Sequence, residues 1–247
     1  MPGKAKNKAP IILNAFSMAT VSHLNYGLWR HPRDHTHNYT SVAYWVELAR
    51  SLERSGFDCL FIADALGLID VYGHSPEASL RHGIQSPLID PLLLVSAMAA
   101  ATQRLGFGIT LSTTYEQPYL AARKFSTLDH LTQGRIGWNV VTSQQDSAAR
   151  NLGLGQQVAH DKRYDVADEF LEVTYKLWQA SWESDAVVRN TTLENSVYTD
   201  PAKVHPIKHK GTYFTVPDGH VVEPSPQRVP VILQAGTSAR GSDFAAR

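Results

Sequence analysis

The stretch 131–143, LTQGRIGWNVVTS, limits the possible folds more than any other part of the chain. Gly134 follows a helical run and can stop it in a left-handed cap. Residues 135–141 then read as a strand, mostly apolar, with a Val140-Val141 pair and too short for a helix. Thr142 and Ser143 close it with two hydroxyls. A helix, a glycine turn and a buried strand with a polar tip make one unit of a parallel α/β sheet. Such sheets bind ligands at the carboxyl ends of their strands. Asn139, Thr142 and Ser143 therefore stand where a pocket would form, although strand-end residues also serve simply to cap the next loop.

The same unit recurs along the chain. Strands are expected at 11–16, 57–63, 105–112, 135–141 and 229–234. Helices are expected at 42–55, 91–104, 118–131 and 163–178, with another beginning at 238. Asp90-Pro91 supplies an N-cap acid and a proline at the first helical position. Residues 17–40 and 65–89 read as long loops, and 183–220 as an irregular insert with one hairpin around 211–216. The Trp, Tyr and His content of 17–40 argues against disorder. Repeated βα units imply a parallel sheet with right-handed crossovers. Five units make an open sheet, or the first five of a (β/α)8 barrel, which takes ~250 residues without large inserts. Here the inserts are large and the chain has 247 residues, so three units are unaccounted for. The expectation is a disordered tail over 1–10 and a single barrel domain over 11–247, incomplete at its carboxyl end and continued in a longer protein.

Lys and Arg equal Asp and Glu at 23 each, which leaves no electrostatic footprint for nucleic acid or an anionic membrane. No apolar run approaches the ~20 residues of a membrane span. Cys59 is the sole cysteine and the first residues lack a signal-peptide core, which together suit a cytoplasmic protein. His31, His35 and His37 lie close in sequence but lack the further ligands of a metal site, so none is expected. GLG at 153–155 lacks the third glycine and the frame of a dinucleotide fingerprint. Ser126, Asp129 and His130 sit on a helix without a nucleophile elbow, which excludes a hydrolase of that type. His160 and Tyr164, four apart at a helix start, could share a face and meet a phosphate where free N–H groups attract anions. Polar residues collect at the strand ends: Asn14, Asp64, Thr110, Asn139, Thr142, Ser143, Gln234 and Ser238. That is what a barrel active site requires and also what polar βα loops show.

The motifs GLWRHP (27–32), FDCLFIAD (57–64), STTYEQPYLAARKFSTLDHLTQGRIGWNVVTS (112–143), AHDKRYDVADEFLEVTYKLW (159–178), DPAKVHPI (200–207) and PSPQRVPVILQAGTSARG (224–241) span nearly the whole chain. Together they resemble the bacterial-luciferase-like flavin monooxygenases. The branch they are similar to holds nitrilotriacetate monooxygenase component A, dibenzothiophene-sulfone monooxygenase and long-chain alkane monooxygenase. DVY (70–72) and DPLLLVSAMA (90–99) are most similar to the last.

The resemblance implies a luciferase-like TIM (β/α)8 barrel that binds FMN, as FMNH2, at its carboxyl-terminal face. It implies a separate NADH:FMN reductase, O2 as co-substrate, and a small organic or apolar substrate oxygenated through a flavin C4a-hydroperoxide. Carried over residue by residue, the cofactor contacts fall on Asp64, Thr110, His160, Tyr164 and Ser238, with Asn139 and Ser143 at the same end. His23 and Gln85 are the expected catalytic side chains, His23 by hydrogen-bonding the peroxide or donating a proton. Phe16, Thr20, Trp29 and Gln144 are expected at the substrate pocket. The alkane branch carries a cysteine in place of Thr20 and a histidine in place of Gln144, so the resemblance leaves the substrate open among alkanes, sulfones, amines and aminopolycarboxylates. A homo-oligomer, dimer or tetramer, is also implied. The alternatives are a deazaflavin F420-dependent relative, or a flavin-binding protein without turnover.

Overall fold

The computed structural model describes residues 11–192, 194 and 196–246. The expected tail over 1–10 lies outside them. In chain order the elements are β1 (Asn14–Met18), α1 (Val42–Arg54), β2 (Cys59–Ala63), α2 (Glu77–His82), α3 (Val95–Ala100), β3 (Gly106–Ser112), α4 (Pro118–Thr132), β4 (Ile136–Val141), α5 (Asp146–Asn151) and α6 (His160–Gln179). Two short antiparallel pairs follow, β5 (Val187–Asn190) with β6 (Val197–Thr199), and β7 (His209–Lys210) with β8 (Thr215–Val216). The chain then gives β9 (Val231–Leu233) and α7 (Ala239–Ala245).

The main sheet has five parallel strands in the order β1-β2-β3-β4-β9. This is the five-stranded parallel sheet that the βα repeat predicts, in keeping with the partial barrel that the resemblance implies. One face of the sheet packs against the helices. Leu60, Ile62, Phe107, Ile109, Ile136, Trp138 and Val140 all point that way and are buried. Trp138 is the centre of this layer, with ring centroids 5.2 Å from Phe125 of α4 and 5.8 Å from Phe170 of α6. Its indole N–H donates to Leu111 O at 3.1 Å, so the buried polar edge is satisfied. The opposite face sets the glycines of β3 and β4, Gly108 and Gly137, beside larger side chains, Phe61 of β2 and Leu233 of β9. A Cβ on Gly108 would stand 2.9 Å from Leu233, two strands away. The sheet is therefore concave there, and only glycine fits that approach.

The amino-terminal ends of the strands are held by two charged groups. Arg135 donates to the carbonyls of Thr132, Leu105 and Ala99. Glu53 accepts the N–H groups of Gln103, Arg104 and Leu105 just before β3.

Several boundaries differ from expectation. The first strand runs over 14–18 rather than 11–16, because Asp58 takes the Leu13 N–H at 2.8 Å and pairing begins only beyond it. The helix expected over 91–104 opens as a 3-10 turn, Pro91–Leu94, and becomes α-helical only over α3. Helix α6 starts at His160, three residues early, and the last parallel strand is confined to β9. The loop over 65–89 contains α2, and 183–220 holds a second hairpin, β5–β6, besides the expected one at β7–β8. Among the described residues no helix is long and apolar enough to cross a membrane.

Candidate functional site

The carboxyl ends of β1, β2, β4 and β9 open onto a cleft of roughly 440 Å3. Met18, Asp64, Ser143 and Gln234 reach it from the sheet, and His160, Arg163 and Tyr164 from the first turns of α6. A smaller chamber of roughly 140 Å3 adjoins it and shares Asp64 and Ser143 as walls. Thr110, Ser112, Asp90 and Glu116 line this second space.

The inserts close over the strand tips by interlocking. Thr20 pairs with Leu88 as an isolated bridge, and its hydroxyl donates to Pro87 O at 2.7 Å. The Gln85 N–H donates to Ser22 O at 3.1 Å, and its side-chain amide to His23 O at 3.2 Å. These bonds bring His23 and Gln85, 62 positions apart, to the same wall of the cleft. On the other side Ser147 donates to Leu68 O at 2.7 Å, and Arg150 pairs with Asp70.

The walls carry backbone strain. Gln85 has φ 47° and Ser143 φ 51°, both in the left-handed region that non-glycine residues avoid. Ser143 is fixed there by a 2.8 Å hydrogen bond to the Ser112 hydroxyl. Below it, the Thr110 hydroxyl donates to Ile62 O at 3.0 Å and accepts from Asn139 Nδ2 at 2.8 Å. Asn139 Oδ1 is buried and has no partner.

Burial pushes the Asp64 carboxyl up to about 7, an effect to which Asp90 adds and which the Ala65 N–H opposes. Burial also lowers the His23 pKa, which favours a neutral imidazole. Its ring meets Phe16 edge-on at 4.4 Å.

At the other end, His160 Nε2 lies 3.4 Å from Ser238 Oγ, and its ring lies 5.2 Å from Tyr164. Ser238 caps α7 by accepting the Gly241 N–H at 3.0 Å. A Cβ on Gly236 or Gly241 would stand 3.0 Å or 2.7 Å from Tyr164 Oη. The chain therefore forms a cradle around that hydroxyl which side chains would fill.

Of the residues singled out in the sequence, His23, Asp64, Gln85, Ser143, Gln144, His160 and Tyr164 line one cleft. Thr110 lines the adjoining chamber, Asn139 lies buried behind it, and Ser238 reaches the cleft through His160. Three residues assigned to the substrate pocket are not among those that line the cleft. Thr20 is 4% exposed and zips the first two inserts together instead of facing the cleft. Trp29 donates its indole N–H to His82 O at 3.0 Å and packs on Gly83, away from the cleft. Phe16 is 55% exposed and meets the site at His23. Sequence reasoning passed over Arg163 and Ser112. For Arg163 a signal existed: it shares a helix face with Ala167, Phe170, Thr174 and Leu177, all buried. The His35 and His37 rings lie 6.3 Å apart and tilted by 59°, and among the described residues no three His, Cys, Asp or Glu side chains converge on a cation site.

The sequence model of the luciferase-like monooxygenases matches residues 26–247. The long-chain alkane monooxygenase of Geobacillus thermodenitrificans (strain NG80-2) is 56% identical over 237 residues, covering 96% of this chain and 53% of the relative. The dimethyl-sulfide monooxygenase of Hyphomicrobium sulfonivorans is also 56% identical, over 239 residues, covering 97% of this chain and 49% of the relative. A riboflavin lyase, crystallised with a modified FMN and its substrate riboflavin, superposes with a TM-score of 0.91 at 42% identity, over 97% of this chain and 53% of the other. The chain spans about half the length of the curated relatives it matches.

Proposed function

Because the chain belongs to the luciferase-like monooxygenase family, we propose that its cleft receives FMN in the reduced state and that it serves an FMNH2-dependent monooxygenase. The observation that carries this reading is convergence: Asp64, Ser143, His160 and Tyr164, spread over about 100 positions of sequence, wall one space of roughly 440 Å3. That volume lies within the ~300–1,000 Å3 of small-molecule and cofactor sites. The glycine cradle around Tyr164 and the start of α6 suit an anionic phosphate. The opposite end, with Asp64, Ser143 and the apolar Met18 and Val141, suits the flat ring. When bound, reduced FMN would activate O2 and pass one oxygen atom to the substrate, the other leaving as water.

The protein's own tasks follow from the geometry. Asp64, titrating at about 7, can hold or release a proton at its carboxyl near neutral pH, facing the ring. Neutral His23, at the wall closed by the first two inserts, can hydrogen-bond a reacting oxygen. Gln85 is pinned beside it by its bond to His23 O. The interlocked inserts narrow the access of bulk water to the strand tips. Ser143 and, from the adjoining chamber, Thr110 would hold the ring end of the cofactor, and His160, Tyr164 and Ser238 would hold its phosphate. Reducing equivalents come from a separate NADH:FMN reductase. The two relatives at 56% identity are named for a long-chain alkane and for dimethyl sulfide, both uncharged and apolar. We assign this chain a substrate of the same character.

FMN titration by fluorescence tests the site. Alanine at Asp64, Thr110 or Ser238 should weaken binding at least about tenfold at one or more positions, as loss of a buried hydrogen bond does. Unchanged affinity in all three removes the site. Turnover with FMN, NADH and a reductase over a panel of alkanes and sulfides, read as oxygenated product, tests the activity.

A further inference from the structure

The first turn of α6 carries a charge that the fold leaves uncompensated. Arg163 is only 8% exposed and lines the cleft between His160 and Tyr164. One guanidinium nitrogen, Nη1, donates to Val158 O at 2.6 Å, while Nε is buried without a partner. Among the described residues no carboxylate stands within ion-pair distance of it. The contrast with the neighbouring Arg240 is plain. That side chain pairs with Asp165 at 3.2 Å and Asp168 at 2.5 Å.

Buried charges are ordinarily paired, because removing them from water is costly. Arg163 also stands where α6 begins at Ala159 without a side-chain cap, and Asp161, the acid of that first turn, is engaged by His160 Nδ1 at 2.7 Å, so the first amides of a 20-residue helix stay open to an anion at the same corner. A guanidinium and an uncapped helix start together call for an anion with several acceptor oxygens.

Resting on the flavin reading above, we infer that Arg163 reads the phosphate monoester of the cofactor and so makes the cleft select FMN over riboflavin. Its role is binding. The Nη1 bond to Val158 O holds the fork in place, and the remaining N–H groups take the phosphate oxygens.

The test is a pair of fluorescence titrations, FMN and riboflavin, on wild type, Arg163→Gln and Arg163→Lys, with circular dichroism to verify the fold. Wild type should prefer FMN by about tenfold or more, and Arg163→Gln should lose about ten- to hundredfold in FMN affinity while riboflavin binding changes less than about twofold. Arg163→Lys should recover part of the loss, since it keeps the charge but not the fork. Equal weakening of both flavins, or an unchanged preference for FMN, overturns the inference. So does a wild type that binds both flavins equally, an outcome that leaves the flavin reading standing. A wild type that binds neither fails that reading first. Should Arg163→Gln not fold, Arg163→Lys decides: it should lose part of the FMN affinity while riboflavin binding changes less than about twofold, and an unchanged preference for FMN overturns the assignment.

Discussion

Asp64 gives the sharpest test of the site because its surroundings oppose its charge. Burial among the strand ends moves its carboxyl from 3.8 to about 7. The native protein therefore keeps a proton that the unfolded chain has released above about pH 4. The stability tied to that proton is fully present below about pH 4 and is lost as the pH rises through about 7. At about 1.36 kcal/mol per unit, the shift amounts to roughly 4 kcal/mol at most. Water in the open cleft screens the group, so a net effect of about 1–3 kcal/mol is expected. Asp64→Asn keeps the shape and removes the titration. Urea unfolding of both proteins at about pH 4.5 and about pH 8 gives the comparison. The variant should gain about 1–3 kcal/mol on wild type between the two conditions. A difference that stays constant with pH refutes the argument that burial holds this carboxyl neutral.

Two further outcomes follow from single sites. Gly241→Ala places a methyl 2.7 Å from Tyr164 Oη and 3.0 Å from Ser238 Oγ. Helix propensity alone favours alanine by roughly 0.5–1 kcal/mol, so a thermal melt should change little while FMN affinity falls about tenfold; unchanged affinity argues against the cradle. His220 is 5% exposed, bonds Ser126 Oγ at 3.0 Å through Nε2, leaves Nδ1 unpartnered, and is pushed down to about 4 by burial. Its lowered value gives stability that is present above about pH 6.5 and lost as the pH falls through about 4, up to roughly 3 kcal/mol. His220→Gln should flatten that acid limb in urea unfolding between about pH 6.5 and about pH 4; a limb of unchanged slope transfers the acid sensitivity to other groups.

The two titrations act in opposite senses over the same interval, which bears on what the sequence reveals. The βα repeat, the glycine after α4 and the Val-Val pair of β4 were legible because period and turn chemistry are local. The polar tips were legible too, since a strand ending in hydroxyls or an acid points to one end of a parallel sheet. What stayed hidden depends on distant contacts. The resemblance places Thr20 and Trp29 at the pocket, yet their partners, Pro87 and His82, lie in another insert more than 50 positions away. The short β5–β6 hairpin lies in an exposed segment with little apolar alternation, so periodicity gives no sign of it. The start of β1 is set by Asp58 reaching back to Leu13, which no local pattern encodes. Arg163 is the instructive case. An arginine on the apolar stripe of an amphipathic helix violates the pattern that the rest of α6 obeys. Such violations concentrate where function has overridden packing. The same holds for Asp64, an acid set at the tip of a buried strand. The sequence shows that both positions depart from the rule, and only the fold shows that the two departures meet in one cleft.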